Sequence, residues 1–82
     1  MRSGIAVVLA RNLVGLSQSE LASSTKVGQR TIRKLELGEN ISDASLARIL
    51  GWLDECVVFT RKGSEIVSVG DKNMVRIFIC LK

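Results

Sequence analysis

Arg30, Arg33 and Lys34 put three cations within five residues, with Gln29 immediately before them. A cluster of that kind is either a solvated helix face or a surface for anions. Residues that could break bonds are scarce. The 82-residue chain has no His and no Tyr. Cys56 and Cys80 stand far apart, in no CxxC spacing and with no His to serve as a base, so they are read as reduced, buried thiols. The acidic residues are scattered rather than clustered for a metal, and no Gly-rich phosphate loop ending in Lys-Ser or Lys-Thr occurs. No catalytic residue, metal site or cofactor is therefore expected, and the chain is not read as an enzyme.

Charge is placed unevenly. The net charge is +4, from 12 Lys and Arg against 8 Asp and Glu. Residues 1–53 hold seven of the cations and four of the acids, a net +3, and residues 54–82 hold a net +1. A mildly basic total does not by itself argue for nucleic acid, whereas concentration of the excess on one segment does more. No apolar run approaches the roughly 18 residues of a membrane span, and no signal peptide stands out. The reading is a soluble, cytoplasmic chain with no membrane partner.

The elements that must carry these residues follow from periodicity. Ile5, Val8, Leu9 and Leu13 fit one face of a first helix; Leu21 and Ala22 fit a short second; Ile32 and Leu35 fit a third; Leu46, Ile49, Leu50 and Leu53 fit a fourth, with Trp52 expected in the core. Gly15 and Gly38 suit left-handed helix ends. Ser17 with Glu20 three residues on reads as a capping box, and Ser42 or Asp43 as the cap of the fourth helix. After residue 54 the period becomes two. Cys56–Arg61, Glu65–Val69 and Met74–Leu81 read as strands, separated by turns at Lys62-Gly63-Ser64 and Gly70-Asp71-Lys72-Asn73. The fold class is α+β, with a four-to-five-helix core over residues 1–54 and a small antiparallel sheet over 55–82 that belongs to the same domain.

Gln18, Ala22, Val27, Ile32 and Leu35 form a spaced set: Ala22 permits close approach of two helices, Val27 plugs the turn, and Ile32 and Leu35 pack the second helix on the first. That is the geometry of a helix-turn-helix. In GLSQSELASSTKVGQRTIRKLELGEN, the opening LSQSELA, the later V-x-x-x-T-I-x-x-L-E and the following G-E-N occur in order. Over roughly residues 2–53 the sequence resembles lambda-type phage repressors, Cro proteins and XRE-type bacterial regulators. It departs from that pattern at Lys26, where Gly is common and positive φ is expected, at Gly28 in place of a capping Ser, and in lacking Pro before the fourth helix.

The resemblance implies a DNA-binding surface. Gln29 and Arg30 would open the recognition helix and meet base edges, Gln pairing with adenine and Arg with guanine, while Thr31 lies beside them and Arg33 and Lys34 meet bases or phosphates. Gln18 and Ser17 would hold a phosphate at the start of the preceding helix, and Asn40 would approach the backbone. Arg11 is expected to pair with Glu36, fixing the recognition helix and turning Arg11 toward phosphate. The partners implied are double-stranded operator DNA and a second copy of the chain. The MVRIFICLK strand would make the dimer contact through Val75, Ile77, Phe78 and Ile79. The expected function is a dimeric, Cro-like repressor on a palindromic operator. The alternative is an antitoxin-type module that neutralises a toxin partner.

Overall fold

A computed structural model of the chain describes residues 1–71. Four helices are followed by a two-stranded antiparallel sheet: α1 Ser3–Leu13, α2 Gln18–Thr25, α3 Gln29–Glu36, α4 Asp43–Asp54, β1 Val57–Lys62 and β2 Glu65–Asp71. The arrangement is α+β. The expected third strand, Met74–Leu81, with Val75, Ile77, Phe78, Ile79 and Cys80, lies outside the described residues. Among the described residues no helix is long and apolar enough to cross a membrane.

The helix ends are set by local chemistry. Gly15 at φ +73° turns the chain after α1, and the Leu16 N–H reaches back to the Arg11 carbonyl at 3.0 Å. Gly38 at φ +88° does the same after α3, where the Glu39 N–H bonds the Lys34 carbonyl at 2.9 Å. Both closures satisfy carbonyls that the helix end would leave orphaned. Ser17 caps α2 in a full capping box: its Oγ accepts from the Glu20 N–H at 3.1 Å, and its own N–H donates to Glu20 Oε1 at 3.0 Å. Ser42 caps α4, accepting from the Ser45 N–H at 3.2 Å.

The core joins all six elements. Ala6, Val7 and Ala10 of α1 meet Leu21 of α2, Ile32 and Leu35 of α3, and Ile49 and Leu53 of α4, with Val27 closing the turn between α2 and α3. Val57, Phe59 and Ile66 bring the sheet onto this cluster, β1 lying against α4 and β2 against α1. Trp52 is half-buried at its margin. Among the described residues the one buried polar residue, Thr25, is satisfied by donating to the Leu21 carbonyl at 2.8 Å.

Two expectations are corrected. The buried face of α1 is Gly4, Ala6, Val7 and Ala10, whereas Ile5, Leu9 and Leu13 are exposed and Val8 is half-buried. The reason is steric. A Cβ on Gly4 would overlap the Leu35 carbonyl oxygen, so α1 crosses α3 at backbone contact and only small side chains fit. The second turn was also placed too early. Gly70 and Asp71 belong to β2, where they pair with Val58 and Val57. The β1–β2 loop is only Gly63-Ser64, with Gly63 at φ +66° as a two-residue hairpin needs at its first position. The register slips between Thr60 and Arg61, which pair with Ser68 and Ile66, and this leaves Val67 as a bulge residue without a cross-strand partner.

Candidate nucleic-acid interface

The second and third helices meet at Lys26 and Val27. Lys26 takes the left-handed conformation, φ 58° and ψ 33°, directly after α2. That position reverses the chain tightly enough for Val27 to drop into the core before Gly28 starts α3. For a lysine this conformation is unfavourable by roughly 1–2 kcal/mol, and burial of Val27, Ile32 and Leu35 offsets it. Gly28 caps α3 without a side-chain bond.

Ile32 and Leu35 are buried, so α3 must present its other positions outward. Gln29, Arg30, Arg33 and Lys34 are all exposed, and Thr31 is half-buried. Arg30, Arg33 and Lys34 make no ion pair among the described residues. Two carboxylates of the α2–α3 unit are engaged elsewhere, Glu20 in the capping box and Glu36 in the clamp beneath α3. The three cations therefore face solvent with no ion-pair partner among the described residues.

A clamp of hydrogen bonds lies beneath α3. Arg11 Nε donates to Glu36 Oε2 at 2.9 Å and Arg11 Nη2 to Glu36 Oε1 at 3.0 Å, a bidentate pair. Arg11 Nη1 donates to the Leu16 carbonyl at 3.0 Å. Gln18 Nε2 completes the set, donating to Glu36 Oε1 at 2.9 Å. The Arg11 and Glu36 side chains are only 16% and 7% exposed. The Arg11–Glu36 pair thus joins α1, the α1–α2 connection, α2 and α3. The contact of Gln18 with Glu36 was not legible in the sequence. Gln18 keeps one N–H and its carbonyl oxygen for another partner.

Asn40 is exposed in the loop after α3 and lines two clefts. The smaller, about 270 Å³, brings Thr31 and Lys34 of α3 to Asn40 and to Ser42 and Ser45 at the start of α4. The larger, about 510 Å³, lies between Arg2 and Ser3 and the segment 38–41. Arg2 was not foreseen at the site. Its Nη1 lies 3.8 Å from where a Cβ on Gly38 would stand, so it rests on the loop that follows α3. Its place at the start of a helix carried no signal, because only the crossing of α1 over α3 brings the two together.

Two carboxyl groups are shifted. The Ser17 backbone N–H, and then the Ser17 hydroxyl, hold Glu20 below its ordinary range. The hydrogen bond from the Met1 amino group, with its charge, does the same for Glu65. Among the described residues no group of His, Cys, Asp or Glu is placed to hold a metal ion. Cys56 is a free thiol, half-buried, with Sγ 3.8 Å from the Trp52 carbonyl oxygen.

No curated protein and no solved structure matches the chain significantly. A helix-turn-helix family model matches residues 9–51, which takes in the C-terminal part of α1, the whole α2–turn–α3 unit, the clamp residues and most of α4. With tight left-handed turn, outward cationic helix and matching span in agreement, the chain belongs to the lambda repressor-like, XRE-type helix-turn-helix family of DNA-binding transcriptional regulators.

Proposed function

We propose that the chain is a dimeric, Cro-like repressor that lays α3 in the major groove of a palindromic operator. One observation carries this reading: the exposed, unpaired cations Arg30, Arg33 and Lys34, with Gln29, all stand on the outer face of a helix whose inner face is locked by Arg11 and Glu36. A rigid helix with donors already aimed outward loses little freedom on binding. Gln29 reads adenine and Arg30 guanine, each through a bidentate pair. Thr31, Arg33 and Lys34 extend the contact to bases or phosphates. The start of α2 holds a phosphate through backbone N–H groups, the second amide proton of Gln18 and the Ser17 hydroxyl. Asn40 and the α4 start meet the next phosphate along the groove, and Arg11 adds positive potential from behind.

One such unit covers a single half-site, and useful affinity comes from two units about 34 Å apart on the duplex. The dimer contact is supplied by the C-terminal segment, through Val75, Ile77, Phe78 and Ile79. Repression then follows from occupancy of a promoter, and control comes from concentration through dimerisation. Selection from a random duplex pool at near-physiological salt tests this. The expected result is a palindromic consensus with half-sites one helical turn apart. Retention without consensus would reduce the contact to counterion release alone and would overturn the reading.

A second reading, an antitoxin-type module, draws support from the exposed apolar side chains of α1, Ile5, Leu9 and Leu13. It predicts variants on that flank that lose a protein partner while binding DNA normally.

A further inference from the structure

Four of the described residues have positive φ. Three are glycines, Gly15, Gly38 and Gly63, and the fourth is Lys26. A side chain at φ 58° is disfavoured because its Cβ crowds the following carbonyl oxygen, and glycine would take the same turn without that cost. The turn itself does not ask for lysine. What residue 26 gives the fold is a backbone bond, its N–H donating to the Ala22 carbonyl, and burial of Val27 holds the turn with either residue. The Lys26 side chain is exposed and makes no hydrogen bond or ion pair among the described residues. A cation at the end of α2 gains from the helix dipole, but that gain is smaller than the cost of the left-handed backbone.

Strain of this kind gathers at functional positions, and the surroundings say which function. Val27 is buried while Lys26 and Gly28 on either side of it are exposed. The lysine stem therefore leaves the core at the end of α3 that carries Gln29 and Arg30. Gly28 puts no side chain between them, and a Cβ there would meet only Thr31 Oγ1, at 3.9 Å. Along the α2 axis, Lys26 stands about 12 Å from Gln18.

We propose that Lys26 binds a DNA phosphate, and that this charge is the reason a lysine holds the turn. The proposal rests on the reading that α3 enters the major groove, and it adds a contact beside the N-terminal end of that helix. An α-helix with its side chains is about 10–12 Å across, and the groove is about 12 Å wide. Once α3 fills the groove, a residue just outside its end meets the phosphate wall rather than a base. Lysine suits that place, because a compact charge on a flexible stem finds a phosphate oxygen without the fixed fork geometry of arginine. The separation from Gln18 makes this phosphate a different one from that held at the start of α2. Such a contact strengthens and positions binding but reads no base.

Three variants separate charge from backbone strain: Lys26→Gln, Lys26→Arg and Lys26→Gly. Each is titrated, beside the parent, onto a short duplex of random sequence and onto the duplex recovered by selection, over a range of salt concentrations. Lys26→Gln keeps the Cβ and loses the charge. It is expected to bind both duplexes more weakly, with the slope of log affinity against log salt shallower by about 0.9 and affinity lower by about eightfold near 0.1 M salt. Lys26→Arg is expected to keep the parent slope. Lys26→Gly is expected to lose the same affinity as Lys26→Gln while its thermal midpoint rises above the parent's, a combination that a purely structural lysine would not give. The parent slope in Lys26→Gln, or a slope in Lys26→Arg as shallow as that of Lys26→Gln, would overturn the phosphate contact and leave the parent's choice of operator standing. A thermal midpoint in Lys26→Gly no higher than the parent's would overturn the claim that strain is kept for the sake of charge. A parent that yields no consensus, but whose slope still becomes shallower in Lys26→Gln, would overturn the operator reading and leave this contact standing. A parent that retains no duplex at all would overturn both.

Discussion

The outer face of α3 and the outer flank of α1 lie on opposite sides of one small core, and they expose opposite chemistries. On α3 the apolar positions are buried and the exposed ones are Gln29, Arg30, Arg33 and Lys34. On α1 the buried positions are Gly4, Ala6, Val7 and Ala10, and the larger Ile5, Leu9 and Leu13 are left outside. The difference follows from how close each helix comes to its neighbours. Contact at Gly4 brings α1 so near α3 that Leu-sized groups are excluded from between them. The bulkier apolar groups Ile5, Leu9 and Leu13 stand on the exposed flank. The two faces therefore differ in chemistry, cationic on one and apolar on the other.

Cutting the link between the two regions has the largest expected effect. Glu36→Ala leaves the Arg11 guanidinium part-buried without its carboxylate and is expected to cost about 3 kcal/mol or more of stability. Replacing both partners by apolar residues, Arg11→Met with Glu36→Leu, is expected to cost less than the single change. Urea denaturation of the three proteins decides it, and equal losses would show that the pair is not desolvated enough to matter. Next is the crossing itself. Gly4→Ala forces α1 away from α3 and is expected to destabilise by about 1–3 kcal/mol. A thermal midpoint unchanged from the parent would mean that α1 shifts without penalty.

How much of this could be read beforehand divides along the same line. The α2–α3 unit was legible because its signals are local. A capping box needs only Ser17 and Glu20, and a buried Val27, Ile32 and Leu35 need only their spacing. The face of α1 was not. In IAVVLARNLV so many positions are apolar that periodicity offers more than one face, and the true one is chosen by the backbone of α3 at Leu35. The end of β2 failed for a related reason. Gly70 and Asp71 are turn-forming types, and pairing with Val58 and Val57 overrides that preference. At the site, the cationic cluster was visible in the sequence, whereas Gln18 bonding to Glu36 and Arg2 resting near Gly38 depend on helices meeting in space.

The binding side of the comparison is sharpened by Arg30→Ala. Arg30 is exposed and has no ion-pair partner among the described residues, so folding stability is expected to stay within about 0.5 kcal/mol of the parent. Specific DNA affinity is expected to fall by about 1–3 kcal/mol, with relaxed preference at one base pair. Uniform weakening over all sequences would make Arg30 a phosphate contact instead. The smallest effect is in the capping box. The folded state holds Glu20 below its ordinary carboxyl range, so the stability it contributes is complete above its unfolded pKa and is lost as pH falls through the lower folded value. Glu20→Gln should therefore flatten the acid limb of stability against pH slightly. An acid limb identical to the parent would mean that the box forms equally well with a protonated Glu20.

The carboxylate of Glu36 also has a kinetic meaning. It is shared by Arg11 of the first helix and Gln18 of the second while belonging to the third. The recognition helix then has no opening of its own that spares its neighbours, so amide protons in α1, α2 and α3 should exchange with solvent in a single cooperative event rather than helix by helix.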